Sequence, residues 1–224
     1  MSAARPTASD AHGFTHLFVP GDPAAPLGRF TMLALHGTGG DERDLVPLAR
    51  TVAPGAAVLS PRGPVLERGM PRFFRRLAEG VFNLEDLARR TDDLGRFVDA
   101  AAAAYGLDRG RVVALGFSNG ANVAASLMLR QPGALAGAAL LRAMVPFEPD
   151  APPGDVGHAP GAPVTIAAGS ADPIVPLEQP VRLAELLRAA GCDAEVTWVP
   201  AGHQLTPRDV ELAADVVARV ARPA

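Results

Sequence analysis

Gly116-Phe117-Ser118-Asn119-Gly120 sets a serine between two glycines, directly after the apolar run Arg111-Val112-Val113-Ala114-Leu115 and directly before the helix-like segment Ala121 to Arg130. The run has the length and apolar continuity of a buried strand. A serine on such a strand-to-helix turn is held in a tight, strained backbone, and its hydroxyl projects above the sheet edge. Glycine on either side leaves room where strand and helix close on each other. Ser118 is therefore the first candidate for a covalent catalyst. The competing reading is a Gly-rich turn that only tightens the connection. With 23 glycines in the chain, such a pattern arises readily by chance, so its weight comes from its setting.

Outward from this turn, short apolar runs alternate with longer helix-like segments, the pattern of a mostly parallel sheet flanked by helices. Strands are expected over 15–19, 30–35, 57–59, 111–115, 137–141, 164–168 and 194–199. The last six read as core strands and the first as an antiparallel edge. Helices are expected over 86–105, 121–130, 178–190 and 207–220. Gly106 suits the end of the first. Thr206, Pro207 and Asp209 supply start chemistry for the last. Pro20 to Gly28 and Pro149 to Pro163 read as loops, the second long enough to overhang the active-site end of the sheet. No internal repeat is visible.

A chain of 224 residues suits a single α/β domain with a complete core, expected over 14–224, with 1–13 as a flexible N-terminal tail. Hydrophobic content of 48% against 20% charged is globular. No run approaches the roughly 18 to 20 apolar residues of a membrane helix, and residues 1–13 lack the apolar centre of a secretory signal. Cys192 is the single cysteine, which excludes an internal disulfide and fits a reducing, cytoplasmic setting. A lone cysteine of this kind reads as inert. No His-Cys spacing suggests zinc, and no cofactor or metal is expected. A net charge of −3 without a basic block argues against nucleic acid. Every cationic side chain of the Lys and Arg class is Arg; with so much Ala and Pro, this reads as codon usage rather than chemistry.

The serine turn resembles the nucleophile elbow of the α/β-hydrolases. A serine hydroxyl needs a neighbouring base, and the base needs an orienting group; in that fold they follow in the order acid, then histidine. Asp172 lies in Gly169-Ser170-Ala171-Asp172-Pro173, after the strand expected over 164–168. His203 follows Gly202, between the strand ending at Val199 and the last helix. Each sits at a strand end, where catalytic groups collect in open α/β sheets. Singly, Asp172 reads as a turn former before Pro173 and His203 as a surface residue; their coincidence in order reverses both readings. His12 in the tail, His16 in the edge strand and His158 in the Pro-rich loop are poorly placed as the base. The oxyanion would be held by the Asn119 N–H and a second donor from Leu35-His36-Gly37-Thr38-Gly39-Gly40, expected at the Thr38 N–H. A phosphate loop is disfavoured there because the G-K-[ST] ending is missing. His36 reads as a brace for this loop.

These pieces (L-H-G-T-G-G, G-F-S-N-G-A around Ser118, G-S-A-D-P-I-V-P around Asp172, and A-G-H around His203) resemble the phospholipase/carboxylesterase family of α/β-hydrolases. The resemblance implies the α/β-hydrolase fold in its small form without a large cap domain, a Ser-Asp-His triad and ester or thioester hydrolysis. Arg72 to Phe82 and Leu140 to Pro146 are similar to the bacterial branch called hydroquinone-associated carboxylesterases. The acyl-protein thioesterase branch tends to carry S-Q-G where this chain has Ser118-Asn119-Gly120, which argues against lipid-protein deacylation. Phe73 and Phe74, with Phe82, Met144 and Ile174, are candidates to line the substrate pocket; the alternative is that the aromatics only fix the loop over 61–83 onto the body. Arg72, Arg75 and Arg76 read as a solvated charged face before an attractor of acidic substrate. The expected activity is a serine carboxylesterase on small esters. A thioesterase or lysophospholipase with a longer acyl channel, a dienelactone-type lactonase (a group that usually carries Cys as nucleophile) and a non-catalytic ligand carrier are the alternatives. A homodimer is a possible assembly, as small hydrolases of this family often pair.

Overall fold

The structure, a computed structural model, describes residues 5–7, 13–149 and 161–222. In chain order the strands and helices are β1 (Arg5–Thr7), β2 (His16–Val19), β3 (Thr31–Leu35), α1 (Val46–Val52), β4 (Ala57–Pro61), β5 (Val65–Glu67), β6 (Met70–Arg72), β7 (Arg76–Ala78), β8 (Val81–Phe82), α2 (Leu84–Tyr105), β9 (Val112–Phe117), α3 (Asn119–Arg130), β10 (Gly137–Leu141), β11 (Pro163–Gly169), α4 (Glu178–Ala189), β12 (Asp193–Val199) and α5 (Pro207–Ala221).

Eight strands form one sheet in the order β1-β2-β4-β3-β9-β10-β11-β12. From β4 to β12 every pairing is parallel, so all six expected core strands are present. β2 runs antiparallel to β4, as expected of the first strand. It is not the edge, however: Arg5–Thr7 pairs antiparallel outside it, within the stretch expected as a tail. The loop over 20–28 contains no strand or helix. Most of the Pro-rich loop, with His158, lies outside the described residues, as does His12.

The alternation of side chains along the parallel strands builds two cores, one on each face of the sheet. Leu33, Leu35, Val112 and Ala114 face α2, α3 and α4, where Leu87, Leu94, Phe97, Leu127 and Leu183 complete one cluster. Met32, Ala34, Val113 and Leu115 face α1 and α5, meeting Ala49, Val52, Leu212 and Val216. Each such fully buried Leu, Val or Phe contributes about 1.5–3 kcal/mol, which is why the apolar runs are continuous rather than alternating. The helix ends follow their chemistry. Asn83 accepts the Asp86 N–H ahead of α2, and Gly106 closes it in the left-handed region at φ 68°. Thr206 and Asp209 form a reciprocal capping box on α5.

β3 connects to β4 on one side while the chain later returns to β9 on the other. The strand order thus reverses between β3 and β9, and crevices for ligands open at the carboxyl ends of strands at such a reversal. The glycine loop after β3 and the serine turn after β9 meet at this point.

Candidate active site

Strand β9 ends at Phe117 and α3 begins at Asn119, leaving Ser118 alone in the turn at φ 51°, ψ −114°. A non-glycine residue in so sparsely populated a region stores about 1–3 kcal/mol of strain, held here by surrounding contacts. The Ser118 N–H donates to the Leu141 carbonyl at the end of β10, 2.8 Å away. Both flanking glycines are required sterically. A Cβ on Gly116 would fall 2.7 Å from the Ala121 Cα, and one on Gly120 would fall 2.0 Å from the Leu35 carbonyl oxygen.

The loops after β11 and β12 bring Asp172 and His203 to this serine. His203 Nε2 lies 3.0 Å from Ser118 Oγ, and His203 Nδ1 lies 2.8 Å from Asp172 Oδ2. The Asp172 side chain is fully buried, while that of His203 is 22% exposed. The turn reading of Asp172 holds as well, on its other oxygen: Oδ1 accepts the backbone N–H groups of Ile174 and Val175 at 2.8 and 3.2 Å. Those two bonds fix the carboxylate so that Oδ2 faces the imidazole. The His203 ring packs against Phe117, with ring centroids 5.3 Å apart.

The glycine loop after β3 lies opposite. Among the described residues, neither the Thr38 nor the Asn119 backbone N–H donates to a protein acceptor. His36 braces the loop from inside the protein. It is 1% exposed, its Nδ1 lies 2.6 Å from the Gly37 carbonyl, and its Nε2 accepts the Gly63 N–H at 2.9 Å. With the second nitrogen an acceptor, the first must carry the proton. Burial pushes the His36 pKa below its ordinary value, so the ring is neutral. The Asn119 side chain ties the Ser118 turn to the chain before β7, its Oδ1 accepting the Phe73 N–H at 2.7 Å.

A model of the family described as phospholipase/carboxylesterase matches residues 29–220, a span that holds β3, the serine turn and the strand ends carrying Asp172 and His203. The chain belongs to the phospholipase/carboxylesterase family. It is 48% identical over 182 residues to MhqD of Bacillus subtilis (strain 168), whose name describes it as a hydrolase, covering 81% of this chain and 89% of that one. The carboxylesterase of Bacillus cereus superposes with a TM-score of 0.83 at 45% identity, over 92% of this chain and 94% of the other. YahD, solved with malic acid, superposes with a TM-score of 0.82 at 30% identity, over 92% and 99%. The chain is thus a carboxylesterase-type hydrolase with the α/β-hydrolase fold.

In this carboxylesterase-type fold the cavity in front of Ser118 measures about 290 Å³. Its lining includes Phe82, Met144 and Ile174, as expected, together with Thr38, Ser118 and His203. Phe73 and Phe74 do not line it. Both are buried in the core facing α2 and α3, where Phe73 packs on His36 and Phe74 edge-on against Phe82. The aromatics at these two positions therefore anchor the loop. Of the three arginines, Arg75 is exposed, as a solvated face requires, whereas Arg72 and Arg76 line the cavity and Arg72 is 3% exposed. Arg72 donates to Thr38 Oγ1 at 2.6 Å and pairs with Glu67, which Arg76 also holds. One wall of the cavity is made by the hairpins β5–β6 and β7–β8, which sequence reasoning missed. Their signal was a pair of two-residue turns, Arg68-Gly69 and Glu79-Gly80, each with glycine at positive φ. Among the described residues, no group of three or more His, Cys, Asp and Glu side chains could hold a metal ion, and no helix is long and apolar enough to cross a membrane.

Proposed function

We propose that this chain is a serine carboxylesterase for small esters, with Ser118 as nucleophile, His203 as general base and Asp172 as the group that orients it. The observation that carries this reading is the continuous line of hydrogen bonds from Ser118 Oγ through His203 to Asp172, at 3.0 and 2.8 Å, opening into the cavity. In the competent tautomer Nδ1–H donates to Asp172 Oδ2 and Nε2 accepts the serine proton. As Oγ bonds to the ester carbonyl carbon, that proton passes to Nε2 and negative charge moves to the carbonyl oxygen. The Thr38 and Asn119 N–H groups receive it. The carbon–alkoxy bond then breaks, His203 returns the proton to the departing alcohol, and water repeats the sequence on the acyl-enzyme to release the acid.

The cavity of about 290 Å³ is at the low end for pockets that take drug-sized ligands, which supports short acyl groups over a thioesterase or lysophospholipase with a long channel. The test is hydrolysis of p-nitrophenyl esters from acetate to palmitate with Ser118→Ala in parallel. Turnover that peaks at short chains and vanishes in the variant is the expected result. A peak at long chains moves the assignment to a lipid-type ester, and Ser118-independent turnover ends it. The protein's single, buried cysteine supports a reducing, cytoplasmic setting for this enzyme. Gel filtration at micromolar concentration decides whether it pairs with itself.

A narrower substrate class is favoured by one observation, the nearly buried Arg72 guanidinium in the cavity wall. A carboxylate on the ester would meet two arginines, Arg72 and Arg76, that share one carboxylate, Glu67, and the relative YahD was solved with malic acid. Comparing a half-ester of a dicarboxylic acid with its neutral diester tests this. A kcat/KM preference for the half-ester that disappears in Arg72→Met is the expected outcome.

A further inference from the structure

Arg142 is a charged side chain with no exposure to solvent. It sits one residue beyond the end of β10, with its backbone at φ 58°, and its ion-pair partner Asp209 in α5 is equally buried. The guanidinium has five N–H groups, and five hydrogen bonds leave it. Nη1 donates to Asp209 Oδ1 at 2.7 Å and to the Ala167 carbonyl at 3.1 Å. Nη2 donates to Asp209 Oδ2 at 3.0 Å and to the Gln204 carbonyl at 2.8 Å. Nε donates to the Gly202 carbonyl at 3.0 Å. The Arg142 backbone N–H also reaches Ala167, at 2.9 Å.

Two of these acceptors decide what the pair is for. Gly202 and Gln204 are the residues on either side of His203. The loop they belong to joins β12 to α5, and it is held a third time at Thr206, whose N–H and hydroxyl both donate to Asp209 Oδ2 at 2.7 and 2.8 Å. One buried arginine and one buried aspartate thus fix the backbone before, after and beyond the histidine, and tie it to β10 and β11. The same strand ends carry the rest of the site. The carbonyl of Leu141, next to Arg142, accepts the Ser118 N–H, and β11 leads into the turn that holds Asp172.

A buried ion pair is a poor device for stability alone, because an apolar pair of similar volume does as well or better. A planar fork with five fixed donors is, by contrast, an efficient way to hold three carbonyls and a carboxylate in one geometry. We propose that Arg142, locked by Asp209, is a positioning residue for His203: it sets the imidazole between Ser118 and Asp172 by pinning the backbone on both sides of it. The inference rests on the assignment of His203 as the base. It adds two residues that touch neither substrate nor the reacting atoms.

The test uses Arg142→Met and Arg142→Lys with p-nitrophenyl butyrate, beside His203→Ala. A misplacement of about 1 Å remote from the chemistry costs on the order of 10²-fold in rate. Arg142→Met is therefore expected to lower kcat about 10- to 100-fold while KM stays within about twofold, since no cavity wall is altered. Arg142→Lys, with three donors in place of five, recovers part of the loss. The downfield proton of the His203–Asp172 hydrogen bond, seen by NMR in the wild type, broadens or vanishes in the Met variant. Should Arg142→Met fail to fold, Asp209→Asn, which keeps the shape and one acceptor, is expected to show the same kcat-selective loss. A folded Arg142→Met enzyme with wild-type kcat, or a Lys variant no better than Met, overturns the inference. The two levels of failure separate cleanly. Turnover surviving in His203→Ala removes the base itself, whereas an inactive His203→Ala beside a fully active Arg142→Met removes only the positioning role.

Discussion

The Leu35 carbonyl oxygen occupies the space that any side chain on Gly120 would need, with a Cβ built there only 2.0 Å away. Leu35 is the last residue of β3 and Gly120 the second residue of α3, so this contact sets how closely the glycine loop and the Ser118 turn approach. The Thr38 and Asn119 N–H groups are carried on those two elements. Their separation is a consequence of glycine at one position.

Gly120→Ala tests that consequence. The methyl group must push α3 from the end of β3, and overpacking of this kind costs about 1–3 kcal/mol. The Asn119 N–H moves with the helix. If the Asn119 N–H holds the oxyanion as proposed, its loss lowers kcat by about 10²–10³-fold, so the variant is expected to lose several degrees of Tm and far more of its activity. Thermal melts and p-nitrophenyl butyrate kinetics on the same sample read both. A variant that melts lower yet keeps its kcat would show that the two donors do not act together.

Ser118→Ala and His203→Ala are expected each to remove roughly 10³-fold or more of kcat, and the double variant is expected to be no slower than either alone. Under the proposed mechanism the two act on one proton: among the described residues, Ser118 Oγ bonds to His203 Nε2, whose other nitrogen meets Asp172. Losses that multiply in the double variant would mean that the two side chains act independently, which a shared proton transfer does not allow.

The parts of this site that the sequence made legible share one property: each follows the end of a parallel strand. Ser118 and Asp172 come after continuous apolar runs with glycine within three residues, and His203 follows Gly202 after the alternating edge strand β12, so each strand announces where it stops. The parts that were not legible depend on which way a side chain turns. Phe73 and Phe82 look alike in the sequence, but one packs on His36 and the other lines the cavity. Arg142 follows two leucines and reads as the charged end of a strand, yet Asp209, 67 residues later, takes it out of water entirely. Neighbours that far along the chain leave no local pattern. The short helix α1 was missed for a different reason: seven residues with a proline in the first turn give too little periodicity to register.

Cys192 is 6% exposed, and burial raises its pKa to about 11. The thiolate is the reactive form, so the native protein at pH 8 is expected to resist thiol-reactive dyes and to release one equivalent only on denaturation. Ellman-type titration with and without guanidinium gives the answer. Rapid labelling of the folded protein would show that the segment joining α4 to β12 opens readily.

His36 makes stability depend on pH in a window set apart from the carboxylates. Burial lowers its pKa below 6.5, against the Gly37 hydrogen bond and the charges of Asp44, Asp41 and Glu42, which act to raise it. Just below pH 6.5 the unfolded chain binds a proton that the folded ring refuses, so the unfolded state is stabilised as pH falls. The stability His36 contributes is therefore complete above that point and is lost as pH falls through the depressed folded value. Protonation would also break the Gly63 N–H bond to Nε2 and loosen the loop that carries Thr38. Glu67 and Glu42 act lower on the scale. Arg76 holds Glu67 below 4.5; on Glu42 burial is the largest single effect and acts upward, and the Arg62 and backbone hydrogen bonds together with the Arg62 and Arg43 charges overcome it. The wild type is expected to lose Tm as pH falls below about 6.5. His36→Gln offers a donor and an acceptor without titrating, and it is expected to melt lower overall but with a flatter slope across that window. Parallel slopes in the two proteins would assign the acid sensitivity to another group.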